Sequence, residues 1–173
     1  MISPVAFAAD KALLGSLAAG AAALVVAAVA PAGPGVAPGP CKASQTRAVA
    51  YAFARAWTRG DLAAVERLVA REPQYRWVSA GPPGGRSGPR AFDRRSLSTF
   101  IRTRHAQQES LRLRSFKFNG SDVRAGDGYG HFEFIAYRDA NDWPQSLSHT
   151  RRGKGAIVCT LVVRPMLAVW SLG

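Results

Sequence analysis

The sequence predicts an α+β domain in which helices pack against one antiparallel sheet. Two observations indicate this fold class. Between residues 44 and 105, apolar side chains recur at three- and four-residue spacing, which is typical of amphipathic helices. From residue 111 onward they alternate or run continuously, which is typical of strands. The predicted order is therefore helix, helix, strand, helix and then four strands.

The first two helices are separated by a predicted corner at Gly60 and Asp61. Apolar side chains at helical spacing define a helix from Ser44 to Arg59; they are Val49, Ala52, Phe53, Ala56 and Trp57. Gly60 is expected to end this helix in the left-handed conformation, and Asp61 to cap the next one at once. The second helix is expected to end before Pro73, because the residue preceding a proline avoids the α region. Its inward side chains are Leu62, Val65, Leu68 and Val69.

A strand, a loop and a third helix come next. Tyr75 to Ser79 is predicted as a strand, and Gly81 to Pro89, with four glycines and three prolines, as a long loop. Asp93 or Ser96 is expected to cap the third helix. Its inward side is predicted to carry Leu97, Phe100, Ile101 and either His105 or Arg104.

Four strands are predicted in the last third of the chain. Leu111 to Asn119 alternates and reaches Asn119-Gly120, a turn signal. In Tyr129 to Arg138, one face carries Phe132, Phe134 and Ala136, and the other carries Tyr129, His131, Glu133 and Tyr137. Gly155 to Val163 and Met166 to Leu172 are predicted as apolar strands joined through Arg164-Pro165.

The N-terminal region predicts export. Residues 12–30 contain nineteen positions without a charge, so residues 1–32 are interpreted as a signal peptide or an N-terminal anchor. Cleavage after Ala32, an uncleaved anchor and lipoprotein processing at Cys41 remain open. The Pro- and Gly-rich residues 33–40 form a predicted linker, and residues 41–173 form the domain. The predicted location is extracytoplasmic, with membrane contact only through residues 12–30 if they are uncleaved.

The two cysteines and the charge narrow the possible partners. In an oxidising compartment Cys41 and Cys159 are expected to form one disulfide; the alternative is a buried free Cys159 and a loose Cys41. The net charge of +12 indicates either a scattered basic surface or an anionic partner. Export argues against DNA or RNA. Three basic segments, at residues 102–105, 112–114 and 151–154, are candidates for a single patch.

Specific residues resemble the nuclear transport factor 2-like superfamily, which includes SnoaL-like cyclases and ketosteroid isomerase-like proteins. The resemblance rests on Phe53 to Leu62, which contains the Gly-Asp corner, and on the strands at Tyr75 to Ser79 and Val169 to Ser171. Gly153 to Ala156, followed by Cys159 and the Trp170-Ser171 strand, is similar to exported members of the superfamily. The resemblance implies a cone-shaped fold, with three N-terminal helices on a curved antiparallel sheet and a pocket at the open end. It also suggests a homodimer formed through the sheet.

Candidate site residues follow from side-chain chemistry. His105, or the pair His131 and Glu133, would supply acid–base catalysis if they faced the pocket. The aromatic side chains predicted as core and ligand-binding wall are Trp57, Tyr75, Trp77, Phe132 and Phe134. The spacing of the histidines gives no metal motif, and no cofactor is predicted.

Three hypotheses for function result. The first is a non-catalytic module that binds a small apolar or aromatic ligand, or a protein partner, in the pocket. The second is a pocket enzyme of isomerase, cyclase or hydratase type. The third is a basic envelope protein that binds an anionic polymer. The sequence favours the first, because no motif matches a catalytic member of the superfamily residue by residue.

Overall fold

The computed structural model describes residues 40–80, 90–160 and 164–173. The predicted export segment, the linker up to residue 39 and the loop at residues 81–89 lie outside the described residues. The helices in the described part are α1 Ala43–Arg59, α2 Leu62–Leu68 and α3 Arg94–Ala106. The strands are β1 Trp77–Ala80, β2 Arg90–Ala91, β3 Ser110–Arg124, β4 Asp127–Asp139, β5 Thr150–Cys159 and β6 Met166–Leu172.

The corner between α1 and α2 is confirmed. Gly60 has φ 63°, and its N–H donates to the carbonyl of Trp57, so the chain leaves α1 through a left-handed residue. The carboxylate of Asp61 accepts from the N–H of Ala64 at 2.9 Å, which caps α2. Asp93 caps α3 in the same way by accepting from the N–H of Ser96. The capping residues therefore predict correctly the end of α1 and the starts of α2 and α3.

The strands form one curved sheet in the order β2-β1-β6-β5-β4-β3. The predicted all-antiparallel sheet is wrong at one position, because β1 pairs with β6 in parallel, with Trp77 beside Val169. In the chain, 85 residues separate the end of β1 from the start of β6, so no tight turn sets the relative direction of these two strands. The first strand also begins at Trp77 rather than at Tyr75.

The helices are not a block of three at the N-terminus. All lie between residues 43 and 106, but β1 and β2 come between α2 and α3. The short strand β2, which the sequence pattern missed, pairs with β1 through Val78 and Ala91. Because this pairing is antiparallel, β2 runs back alongside β1 and forms the edge of the sheet before α3 begins.

The predicted turn at Asn119-Gly120 is also wrong. β3 continues through Gly120 to Arg124, and the pairing with β4 shifts register between Phe118 and Gly120. Gly120 has φ 105°, so it supplies the positive φ that an irregularity in the strand requires. The hairpin turn instead lies at Ala125 and Gly126, with φ 50° and 84°.

Alternation along β4 divides the sheet into an inner face, towards the helices, and an outer face. Phe132, Phe134 and Ala136 are buried on the inner face as predicted, whereas His131 and Glu133 lie on the outer face. Aromatic rings fill the space between the inner face and the helices; they are Phe53, Trp57, Phe100, Phe116, Phe132, Phe134 and Trp170.

A disulfide between Cys41 and Cys159 is present, as predicted. It joins Cys41, two residues before the start of α1, to the last residue of β5, across a sequence separation of 118. The sulfur of Cys41 is therefore occupied, which argues against lipid attachment at that residue. Such a bond is compatible with an extracellular location. In residues 40–80, 90–160 and 164–173, no helix is long and apolar enough to span a membrane.

Candidate functional site

Three of the five predicted ligand-wall residues belong to the packed interior. Trp57 is completely buried and meets Phe100 edge-to-face at 5.3 Å between centroids. Phe134 stacks on Trp170 at 4.3 Å, and Phe132 lies beside Phe134 at 6.0 Å. These contacts use the side chains to fill the space between helices and sheet, so their main observed role is packing.

The interior contains two indole N–H groups without a hydrogen-bond partner among the described residues. They belong to Trp57 and Trp170. Both indoles are surrounded by phenyl rings, with Phe53 in contact with each of them at 5.8 and 4.9 Å. The ring contacts of both indoles are with phenyl groups, so within the described residues neither indole is hydrogen-bonded to a carboxylate or an imidazole.

The other two predicted wall residues differ from one another, because Tyr75 belongs to the same buried core whereas Trp77 does not. Tyr75 is buried just before β1, and its hydroxyl donates to the carbonyl of Ala91 at 2.5 Å. Burial raises the pKa of this phenol above its ordinary value. Trp77 is 38% exposed and lies on the outer face of the sheet, away from the helices. The five aromatic residues therefore do not surround one space.

His105 is exposed in the last turn of α3. Its ring lies beside Gly60, at the corner between α1 and α2. The inward position at the end of α3 belongs to its neighbour Arg104, which is 8% exposed. His105 is thus outside the interior in which a pocket base would act.

His131 and Glu133 share the outer face but have different partners. His131 Nε2 lies 3.0 Å from Asp122 Oδ1, and Arg124 contacts the other carboxylate oxygen of Asp122 at 2.7 Å. The hydrogen bond with His131, together with that from Arg124, lowers the pKa of Asp122. His131 therefore pairs with Asp122, a residue that sequence reasoning did not identify, rather than with Glu133.

A buried charged cluster lies at the end of α3. The carboxylate of Glu109, 1% exposed, accepts from Arg138 at 2.8 and 3.0 Å and also from Arg104. Arg104 donates two further bonds, at 2.7 and 2.8 Å, to Asp142, and this interaction lowers the pKa of Asp142. The guanidinium of Arg138 also stacks over Trp143 at 5.2 Å. The charges of the cluster compensate one another, so the cluster is better suited to holding segments together than to proton transfer.

The outer face carries a groove of about 520 Å³. Its lining residues are Ser115, Lys117, Glu133, Phe134, Ile135, Arg152, Gly153, Lys154, Ser171 and Gly173. Most of them form two rows across neighbouring strands. In one row, Glu133 pairs with Lys117 on one side and Lys154 on the other. In the next row, Ile135 lies between Ser115 and Arg152.

Basic side chains extend beyond the groove along β3. Arg112 and Arg114 are exposed, and Arg114 stacks over Tyr137 at 5.5 Å on the outer face. Two of the three predicted basic segments thus contribute to one surface. In the third segment, residues 102–105, Arg104 does not contribute to this surface, because its side chain is buried against Glu109. We call this surface, formed by Arg112, Arg114, Lys117, Arg152 and Lys154, the basic face.

The signal for the basic face was present in the sequence but incomplete. Within a single strand, alternation of apolar and polar residues predicts which side chains point outward. Outward positions of this kind are occupied by Lys117 in β3, Glu133 in β4 and Lys154 in β5. Their alignment in one row depends on strand register. A bulge in β3 shifts that register by one residue, and periodicity alone does not reveal it.

Metal ligands are not clustered in the described part of the chain. Across residues 40–80, 90–160 and 164–173, no group of three or more His, Cys, Asp and Glu side chains is arranged to hold a metal ion.

Comparison with known proteins gives likeness at the level of fold. No protein-family model and no curated protein matches the sequence. The chain is similar to the crystal structure of a candidate ketosteroid isomerase from Shewanella frigidimarina, with a TM-score of 0.55 and 12% identity over 76% of this chain and 96% of that one. A ketosteroid isomerase-like protein from Erwinia carotovora atroseptica gives a TM-score of 0.49 and 12% identity, over 73% and 91% of the two chains.

Proposed function

We propose that this chain, which has the nuclear transport factor 2-like fold, is a non-catalytic binding module that holds a linear anionic polymer on its basic face. The observation that carries the proposal is the groove on the outer face, where the side chains of Lys117, Arg152 and Lys154 accompany one acidic side chain, that of Glu133. With the predicted export, this chemistry suits an anionic polymer of the cell envelope.

The cross-strand geometry supports a linear ligand. Neighbouring strands lie about 4.8 Å apart, so Lys117 and Lys154 are separated by roughly 10 Å across Glu133. Arg112 and Arg114 continue the positive charge beyond the groove along β3. A polymer with regularly spaced anionic groups would contact several of these side chains at once, whereas a single small anion would contact only one or two.

Catalysis by the predicted residues is less well supported. His105 and His131 are outside the interior, and Glu133 is exposed between two lysines. General acid–base catalysis needs a titratable group held close to a substrate in a site that restricts water. The ring cluster also occupies the space in which an apolar ligand would lie. These observations favour binding at the outer face over the two hypotheses that require an internal pocket.

Charge also argues against a second copy on the same face. A two-fold dimer through the basic face would place Lys117, Arg152 and Lys154 near their symmetry copies. Among the described side chains that line the groove, Glu133 is the acidic one that would offset that repulsion. Polymer binding and dimerisation through this face are therefore expected to compete.

The test uses heparin, a linear sulfated polymer, with the full chain and a groove variant, Lys117→Gln/Arg152→Gln/Lys154→Gln. Each basic side chain near an anionic surface contributes about 1 kcal/mol. Removal of three should therefore weaken binding about 100-fold, measured by titration calorimetry at fixed salt. Wild-type affinity should fall steeply as NaCl concentration rises, because exposed charges are screened.

The matched control is Arg47→Gln/Arg95→Gln/Arg102→Gln, which removes the same charge from exposed positions on α1 and α3. It should weaken heparin binding far less than the groove variant does. Equal weakening by both variants would indicate only a scattered basic surface and would overturn the proposal. Single-stranded DNA should bind less tightly than heparin at equal salt, because the groove lacks a row of exposed aromatic rings for bases to stack on.

A further inference from the structure

A second cavity, of about 640 Å³, lies on another part of the molecule. It is formed by α2, the segment that follows α2, the first residue of α3 and the residues that lead into β6. Its lining includes four arginines, Arg67, Arg71, Arg94 and Arg164, together with Glu66 and Met166. We call it the arginine cleft.

Two of the arginines are fixed by backbone carbonyls. The guanidinium of Arg94 donates to the carbonyl of Glu66 at 2.8 Å and to that of Val69 at 3.2 Å. Arg164 Nη2 donates to the carbonyl of Arg67 at 2.9 Å. These oxygens belong to the end of α2, where carbonyls lack partners within the helix. A guanidinium has five N–H donors, so these bonds orient each group without using all of its donors.

The other two arginines have no such role. Arg67 and Arg71 are exposed, and within the described residues their guanidinium groups make no hydrogen bond or ion pair. Glu66 is the one carboxylate among the lining residues of the cleft. Four positive charges around a single cavity repel one another unless an anion lies between them. Two oriented guanidinium groups and two adaptable ones thus surround a volume typical of small-molecule sites.

From this arrangement we propose that the arginine cleft binds a small phosphorylated molecule with two or more negative charges. Guanidinium groups match the oxygens of phosphate in paired, charge-assisted hydrogen bonds. The cleft and the basic face share no residue, so this site is separate from the polymer groove. With the polymer groove, the chain therefore carries two anion sites, one for a linear polymer and one for a small molecule.

Inorganic pyrophosphate is the probe, titrated calorimetrically into the full chain that carries the groove variant Lys117→Gln/Arg152→Gln/Lys154→Gln. On that background, Arg67→Gln/Arg71→Gln should weaken pyrophosphate binding about 100-fold, because each substitution removes a charged hydrogen-bond donor. Both side chains are exposed, so the variant is expected to fold, with unchanged circular dichroism. The control, Arg47→Gln/Arg102→Gln, makes the same change in charge away from the cleft and should keep the affinity within threefold.

The outcomes separate the two proposals. If the groove variant alone abolishes pyrophosphate binding, the anion sits in the groove; the cleft inference is then overturned while polymer binding stands. If Arg67→Gln/Arg71→Gln leaves the affinity unchanged, or the control weakens binding as much, the cleft is not the site. Citrate that binds as tightly as pyrophosphate would overturn the assignment to phosphate. If the wild-type chain binds pyrophosphate but not heparin, the polymer proposal is overturned and the cleft inference stands.

Discussion

Removal of the disulfide should cost this domain a large part of its stability. The change is Cys41→Ala/Cys159→Ala, which opens a loop with a sequence separation of 118. The chain-entropy relation assigns about 4.9 kcal/mol to closing a loop of that length in the unfolded state. Folded domains of this size are stable by about 5–15 kcal/mol, so the bond accounts for a substantial share. At about 4 °C for each kcal/mol, the melting temperature should fall by roughly 20 °C.

The assay is urea unfolding followed by tryptophan fluorescence, with and without a reductant. Wild type should lose stability when reduced, and the double variant should be insensitive to reductant, which makes it the matched control. The reasoning would be refuted if oxidised and reduced wild type unfolded within about 1 kcal/mol of each other. Two thiols open to alkylation in denatured, unreduced protein would refute it more directly.

Three further predictions concern the buried cluster and the first corner. Glu109→Gln should destabilise the fold by about 3–5 kcal/mol in urea unfolding, because it leaves two buried guanidinium groups without their shared carboxylate; a loss below 1 kcal/mol would contradict this role. Arg104 lowers the pKa of Asp142, so the stabilisation from that pair is complete above the unfolded pKa near 3.9 and disappears as pH falls through the lower folded value. Asp142→Asn should therefore be less stable at neutral pH and give a flatter dependence of unfolding free energy on pH below about 4; identical slopes would exclude the effect. Gly60→Ala should lower the melting temperature more than Gly126→Ala, since both have positive φ but only at Gly60 would the added Cβ meet a ring, that of His105; equal losses would show that the ring yields freely.

Local signals made the helices predictable. The glycine and aspartate at residues 60 and 61 act through their own backbone and side chain, so their effect is readable without knowledge of the rest of the fold. The inward position at the end of α3 was less clear, because Arg104 and His105 are adjacent on the helix. Glu109 decides between them, since its buried carboxylate needs a cationic partner. That partnership arises only when the chain folds back after α3.

Long-range pairing limited the prediction of the sheet and of the site. Gly120 has the conformational freedom that either a turn or an irregular strand requires, and only the pairing of β3 with β4 distinguishes the two. The parallel contact between β1 and β6 likewise joins distant segments. For the same reason Lys117, a neighbour of Glu133 across the sheet, was not identified, and Lys154, the other neighbour, was predicted only as part of a basic segment and not as a partner of Glu133.

Different interactions hold the two ends of strand β4, a disulfide beside its start and a buried ion pair at its end. Near its start, Cys41 Sγ lies 3.6 Å from the carbonyl oxygen of Gly128, beside the covalent link to Cys159. Near its end, Arg138 is held by Glu109. Ten residues, or about 33 Å of extended chain, separate these points. A reductant therefore acts at the start of the strand only and leaves its end held by the buried ion pair, so reduction is expected to loosen β4 from one end rather than along its whole length.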